Sequence, residues 1–124
     1  MHTLIYSDDP AATRAFLRDV LGWPYLEHAE SEPGWLIFKT GPSELGVHPT
    51  TYSYDGQDFS HPRHHTVSLI CDDIQATRAE LEAKGAEFSS EIEDLGFGLG
   101  TTLELPVAGG VLLYEPSYPA AYGL

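Results

Sequence analysis

Apolar residues recur along this chain of 124 residues in two rhythms. Residues 2–7 are apolar and β-branched, which predicts a strand. Thr13, Phe16, Leu17, Val20 and Leu21 then follow the i, i+3, i+4, i+7, i+8 spacing of one buried helix face. Asp9 is placed to cap that helix, Pro10 suits its first position, and Gly22 suits the residue just past its end. Three strand-like pieces follow, at 25–28, 35–39 and 44–48. The succession then returns: a strand at 65–71, a helix opened by Asp73 and closed at Gly85, and strand-like pieces at 86–90, 101–105 and 111–115. Pro33-Gly34, Gly41-Pro42 and Ala108-Gly109-Gly110 supply turns. Residues 51–62 are polar and aromatic without a period, and predict a linker.

The return is a sequence repeat as well as a pattern repeat. Asp8-Asp9-Pro10-Ala11-Ala12-Thr13-Arg14-Ala15-Phe16-Leu17 matches Asp72-Asp73-Ile74-Gln75-Ala76-Thr77-Arg78-Ala79-Glu80-Leu81 at seven of ten positions. His2-Thr3 faces His65-Thr66 before it, and Val47-His48-Pro49-Thr50 falls where Tyr114-Glu115-Pro116-Ser117 falls in the second copy. The order β-α-β-β-β therefore occurs twice. Neither copy can bury a sheet face alone, so the expectation is an α+β fold in which two tandem βαβββ modules form a curved mixed sheet around one cupped site. That makes one domain over 1–124, with module one at 1–50, a linker at 51–62 and module two at 63–124.

Charge narrows the partners. Nineteen acidic residues stand against six basic ones, a net charge of −13, which argues against nucleic acid, since phosphate binding needs clustered Lys and Arg. Solubility explains such a charge, and so does attraction of a cationic ligand. The single cysteine, Cys71, rules out an internal disulfide. No apolar run approaches the roughly 20 residues of a membrane helix, so no membrane partner is expected and the cytoplasm is the expected location. A homodimer is expected, because units of this kind leave a sheet edge or apolar face to pair and two-fold symmetry is the commonest.

The element order, the segments His2-Thr3-Leu4-Ile5-Tyr6-Ser7-Asp8-Asp9 and Phe16-Leu17-Arg18-Asp19-Val20-Leu21-Gly22-Trp23, residues 65–73 and the closing Leu113-Tyr114-Glu115-Pro116 resemble the vicinal-oxygen-chelate superfamily of glyoxalases, bleomycin-resistance proteins and dioxygenases. The resemblance spans nearly the whole chain. It implies that each unit gives one metal ligand from its first strand and one from its last. Those positions are His2, His48, His65 and Glu115 here. It further implies a divalent Zn, Ni, Fe, Mn or Co ion acting as a Lewis acid on a small molecule with adjacent oxygens, in a lyase, isomerase or dioxygenase, with Glu115 also able to serve as catalytic base. A metal-free relative of the bleomycin-resistance type, sequestering a cationic small molecule, is the alternative, and a non-catalytic metabolite sensor is a third reading.

Several residues carry competing readings. Many relatives place the last-strand glutamate where this chain has Leu112, three positions before Glu115 and so on the other face of a strand. His64 competes with His65, since neighbours on a strand point to opposite faces. Each of the four ligand candidates could equally be a surface or strand-end residue, and His28 and His61 read as surface. Tyr6, Trp35, Phe97 and Tyr114 are candidates for lining a substrate pocket, although aromatics mostly pack in cores. Phe97 lies in Leu95-Gly96-Phe97-Gly98-Leu99-Gly100, a glycine-rich stretch suited to a lid. Cys71, beside Asp72 and Asp73, reads as a structural thiol rather than a nucleophile.

Overall fold

A computed structural model describes residues 2–27 and 35–124. The two helices form where the pattern predicts. Helix α1 spans Pro10–Asp19, and Asp9 accepts the Ala12 N–H at its start. Helix α2 spans Ile74–Ala83, and Asp73 accepts the Ala76 N–H in the same way. Gly22 (φ 70°) and Gly85 (φ 94°) sit just past the two helix ends in the left-handed conformation, which spares them the Cβ penalty another residue would meet.

The strands follow in chain order: β1 (Tyr25–Glu27), β2 (Leu36–Phe38), β3 (Thr51–Tyr54), β4 (Gln57–Ser60), β5 (Ser68–Ile70), β6 (Glu93–Asp94), β7 (Gly98–Leu105) and β8 (Gly109–Pro116), with a 3₁₀ turn at Ala121–Gly123. The second half builds a four-stranded sheet in the order β5-β8-β7-β6. Strand β5 runs parallel to β8, and the other pairs are antiparallel. Together with the two helices this is the expected α+β class.

Four expectations need correction. Residues 2–7 and 44–48 form no regular strand; Tyr6 and Val47 are 86% and 93% exposed, so these apolar segments have no sheet partner among the described residues. Residues 51–62 are not a structureless linker: β3 and β4 pair as a hairpin. Asp55 and Gly56, both at positive φ (53° and 74°), make its two-residue turn, as an Asp-Gly pair favours. Finally, 86–90 does not form a strand. Phe88 bridges Leu103, and Glu87 and Ser89 bond β7, but the Ser90 hydroxyl takes the Thr102 N–H and the chain bends away before β6. His28 and the Pro33-Gly34 turn lie outside the described residues.

The core sits on one face of the four-stranded sheet. Phe16 and Leu17 of α1, Leu81 of α2, Ala86, Leu103 and Leu105 of β7 and Leu113 of β8 form it. Helix α1 thus belongs to the first half by sequence and to the second half by packing. Buried Thr13 fastens it, donating to the Pro106 carbonyl at 2.7 Å. The next carbonyl, Val107, accepts the Asp8 N–H; Val107 is held there at φ 54°, an unfavourable conformation for a β-branched residue. Leu103 is fully buried at the centre of this cluster. Leu103→Ala is expected to lower the unfolding free energy by about 3 kcal/mol through lost burial and the cavity left behind, read as a shifted urea midpoint. A change below about 1 kcal/mol would place the centre of the core elsewhere.

Candidate functional site

Strand parity decides which residues can meet. Leu99, Thr101, Leu103 and Leu105 of β7 and their cross-strand partners Glu115, Leu113, Val111 and Gly109 point to the helix side. Gly98, Gly100 and Thr102, with Tyr114 and Leu112 opposite, point to the other side, where Ser68 and Ile70 of β5 join them. Neither α1 nor α2 covers that second face, which is the open face of the sheet among the described residues.

Glu115 therefore faces α2. Its Oε1 accepts the Ile74 N–H at 3.1 Å, satisfying a first-turn donor of that helix. His48 lies on an aromatic cluster, its ring edge-on to Tyr52 at 5.0 Å and 6.2 Å from the ring of His61, which stacks on Tyr52. Its Nδ1 donates to the Pro49 carbonyl at 2.8 Å. His2 and His65 are exposed in irregular chain, and His64 donates to the Pro62 carbonyl. All four residues expected as ligands are among the described ones, yet no three His, Cys, Asp or Glu side chains of the described residues are gathered so as to hold a metal ion. The donors present do not fit a divalent ion in this arrangement.

The aromatic candidates separate as well. Tyr6 is exposed, and Trp35 lies half-buried under the Arg14 guanidinium at 5.1 Å. Phe97 and Tyr114 do meet, edge to face at 5.3 Å. The stretch read as a lid divides in two. Residues 98–100 belong to β7, and 95–97 form a turn held by Leu95 N–H to the Gly98 carbonyl and Ser117 N–H to the Phe97 carbonyl. Gly98 is required there, since a Cβ would lie 2.3 Å from the Glu115 carbonyl oxygen of β8, whereas a Cβ at Gly100 would meet only the side chains of Leu95 and Leu112.

Beside Tyr114 is a carboxylate that pattern reading did not single out. Glu44 accepts a very short hydrogen bond from the Tyr118 hydroxyl and the Ala121 N–H at 2.7 Å. The Tyr114 and Tyr118 oxygens are 2.7 Å apart. Since the one Tyr118 proton goes to Glu44, the Tyr114 O–H is shared between the Tyr118 oxygen and, at 3.5 Å, the Glu44 carboxylate. The Tyr118 hydroxyl, the Ala121 N–H and the more distant Tyr114 hydroxyl hold the Glu44 carboxyl below the usual range. Glu44 in turn, with Tyr114 and burial, raises the Tyr118 phenol. At neutral pH the cluster therefore carries a fixed negative charge on Glu44 beside the neutral Tyr118 phenol, which suits binding a positive group better than removing a proton. No ion pair of the described residues involves Glu44. Nothing local in sequence could have found this cluster, because Glu44 and Tyr118 are 74 positions apart.

Cys71 matches its expectation. Burial chiefly raises its thiol, the Thr77 hydroxyl opposes this, and the charges of Glu115, Asp72 and Asp73 add to the rise. A separate hollow of about 480 Å³ lies on the hairpin among Thr51, Tyr52, Ser53, Asp58, Phe59 and Ser60. Its single carboxylate, Asp58, already accepts from Ser53 at 2.5 Å.

Similar proteins agree with the architecture. A lactoylglutathione lyase from Agrobacterium tumefaciens shares 21% identity over 93% of this chain and 91% of its own, with a TM-score of 0.60. A glyoxalase/bleomycin resistance protein/dioxygenase from Nocardioides shares 16% over 97% and 84%, at 0.62. An antibiotic binding protein from Streptomyces shares 15% over 92% and 91%, at 0.55. At these identities the likeness is one of fold. No curated protein matches the sequence. The model of the Glyoxalase/Bleomycin resistance protein/Dioxygenase superfamily matches residues 1–116, and the chain belongs to that superfamily.

Proposed function

We propose that the protein binds a cationic organic small molecule without a metal, and does so as a homodimer. The observation that carries the reading is the placement of Glu115: its carboxylate is spent on the Ile74 N–H, on the helix side of the sheet. A metal-dependent lyase, isomerase or dioxygenase would need that carboxylate together with His2, His48 and His65, and these four are not gathered. The charge of −13 favours a positive ligand by long-range attraction. The fold is shared with an antibiotic binding protein as well as with a lyase, so fold alone favours neither. Members of the superfamily act on small molecules, and no helix of the described residues is long and apolar enough to cross a membrane. We place the protein in the cytoplasm, where the free thiol of Cys71 would stay reduced.

The dimer rests on area. A monomeric globular chain of this mass exposes about 6,600 Å² by the usual scaling, whereas this one exposes 9070 Å². The excess, roughly 2,500 Å², is of the order an obligate partner covers. The apolar segments without a sheet partner among the described residues, including Leu4, Leu45 and Val47, lie exposed within it. A second copy of the chain offers the same unpaired backbone and is its natural cover.

Two measurements check this. Calorimetric titration with a cationic glycopeptide of the bleomycin class is expected to give saturable binding at micromolar concentration that chelator treatment leaves unchanged. Stoichiometric transition metal in untagged protein, with binding or turnover that depends on it, would overturn the reading. Light scattering after gel filtration is expected to give twice the 13.6 kDa chain mass at micromolar concentration; a monomer there would remove the dimer.

A further inference from the structure

We propose that Glu44, with the rings of Phe97, Tyr114 and Tyr118, anchors the positive group of the ligand, and that this group is an organic ammonium. The proposal rests on the cation-binding reading above and assigns its contact. Glu44 differs from carboxylates on the helix side of the sheet. Glu82 and Glu80 pair with Arg78 and Lys84 on α2, and Glu115 is held by a helix start. Among the described residues Glu44 is held by neutral donors alone. These fix its position and leave its charge uncompensated. A carboxylate has about four acceptor sites, so the two short bonds and the distant Tyr114 contact leave room on it for a further donor.

The surroundings choose among cations. One carboxylate and two phenols are too few hard donors for a divalent metal, which takes about six oxygen ligands. They are well matched to an ammonium, whose apolar substituents rest on ring faces while its charge meets the carboxylate. Phe97 is 46% and Tyr118 37% exposed, so both rings present surface to a ligand. Tyr114, buried between them, touches Phe97 edge-on and Tyr118 through its hydroxyl. The anchor is assembled before binding, because the Phe97 carbonyl is held by the Ser117 N–H and the tail beyond it by Glu44 itself. Preorganisation of this kind lowers the entropic cost of binding.

The test is an amide NMR titration of the full chain with choline and with its uncharged isostere, in which carbon replaces the ammonium nitrogen. Choline is expected to shift the Phe97 and Ala121 amides saturably, and the isostere to bind about tenfold more weakly. Glu44→Gln, which keeps an acceptor and removes the charge, is expected to weaken choline by about tenfold. Glu80→Gln, which removes the same charge from exposed α2 on the helix side of the sheet, is expected to stay within about threefold of the native affinity. Equal affinity of the native chain and Glu44→Gln would overturn the anchor. So would a loss in Glu80→Gln as large as in Glu44→Gln, which would leave only the long-range attraction of the net charge. If Glu44→Gln loses its near-ultraviolet dichroism, the comparison of choline with its isostere on the native chain decides instead, and equal binding of the two overturns the anchor. Failure of the native chain to bind the cationic glycopeptide falls on the cation-binding reading itself, whatever choline does.

Discussion

The burial of Phe16 and Leu17 against Leu103, Leu105 and Leu113 is the contact on which the rest of the molecule depends. A chain of this length can fill one core, and a residue of a half-buried sheet must choose a face. Placing both helices on the same face of β5-β8-β7-β6 makes that face the core and leaves the other open. The fastening is polar at its edge, where Thr13 and Asp8 bond the turn between β7 and β8. A buried hydroxyl without a partner would cost about 1–3 kcal/mol, so the Thr13 bond to the Pro106 carbonyl also fixes how far α1 can slide over the sheet.

Once that face is chosen, parity along β8 assigns chemistry to neighbours. Leu113 is core, Tyr114 looks out over the open face, and Glu115 returns to the helix side. A shift of one residue along a strand exchanges these roles entirely. Leu112, standing where many relatives carry glutamate, falls on the open face with Tyr114. The position that could present a carboxylate from the last strand to the open face is thus apolar here. The carboxylate of that region comes from Glu44, in the first half of the chain. Hydrogen bonds to neutral donors keep it charged where burial alone would favour its neutral form.

Much of this fold could be read in advance, for physical reasons that differ by element. The helices were legible because an Asp cap, a 3.6-residue period and a closing glycine are local signals that agree. Strands β7 and β8 were legible at their centres because they alternate over a core. The hairpin at β3 and β4 was missed although Asp55-Gly56 is a strong turn signal: the flanking Tyr-Ser and Asp-Phe alternation is mostly exposed and read as polar chain. Residues 2–7 and 44–48 show the reverse error. Their composition favours strand, but a strand needs a neighbour, and propensity says nothing about whether one is present. The candidate site was least legible of all, since His2, His48, His65 and Glu115 followed from the repeat, while the Glu44 cluster follows from contacts between residues far apart in the chain.

The repeat explains why the two kinds of prediction fared so differently. It survives in the joints that carry the helices. Asp9 caps α1 as Asp73 caps α2, and Ser7 bonds Thr13 as Cys71 bonds Thr77. These contacts are set by the start of each helix and the residues just before it, in or beside the segments in which seven of ten aligned residues agree. They are structural, and a duplicated structure reuses them. The open face is made instead by the segments that end each copy, where Glu44 corresponds to Val111 and Val47 to Tyr114 at the spacing of the repeat. A ligand that is itself asymmetric is bound best where two copies differ. Reasoning from the repeat therefore finds the scaffold and overlooks the residues that distinguish one half from the other, and it is among those that a charged anchor stands.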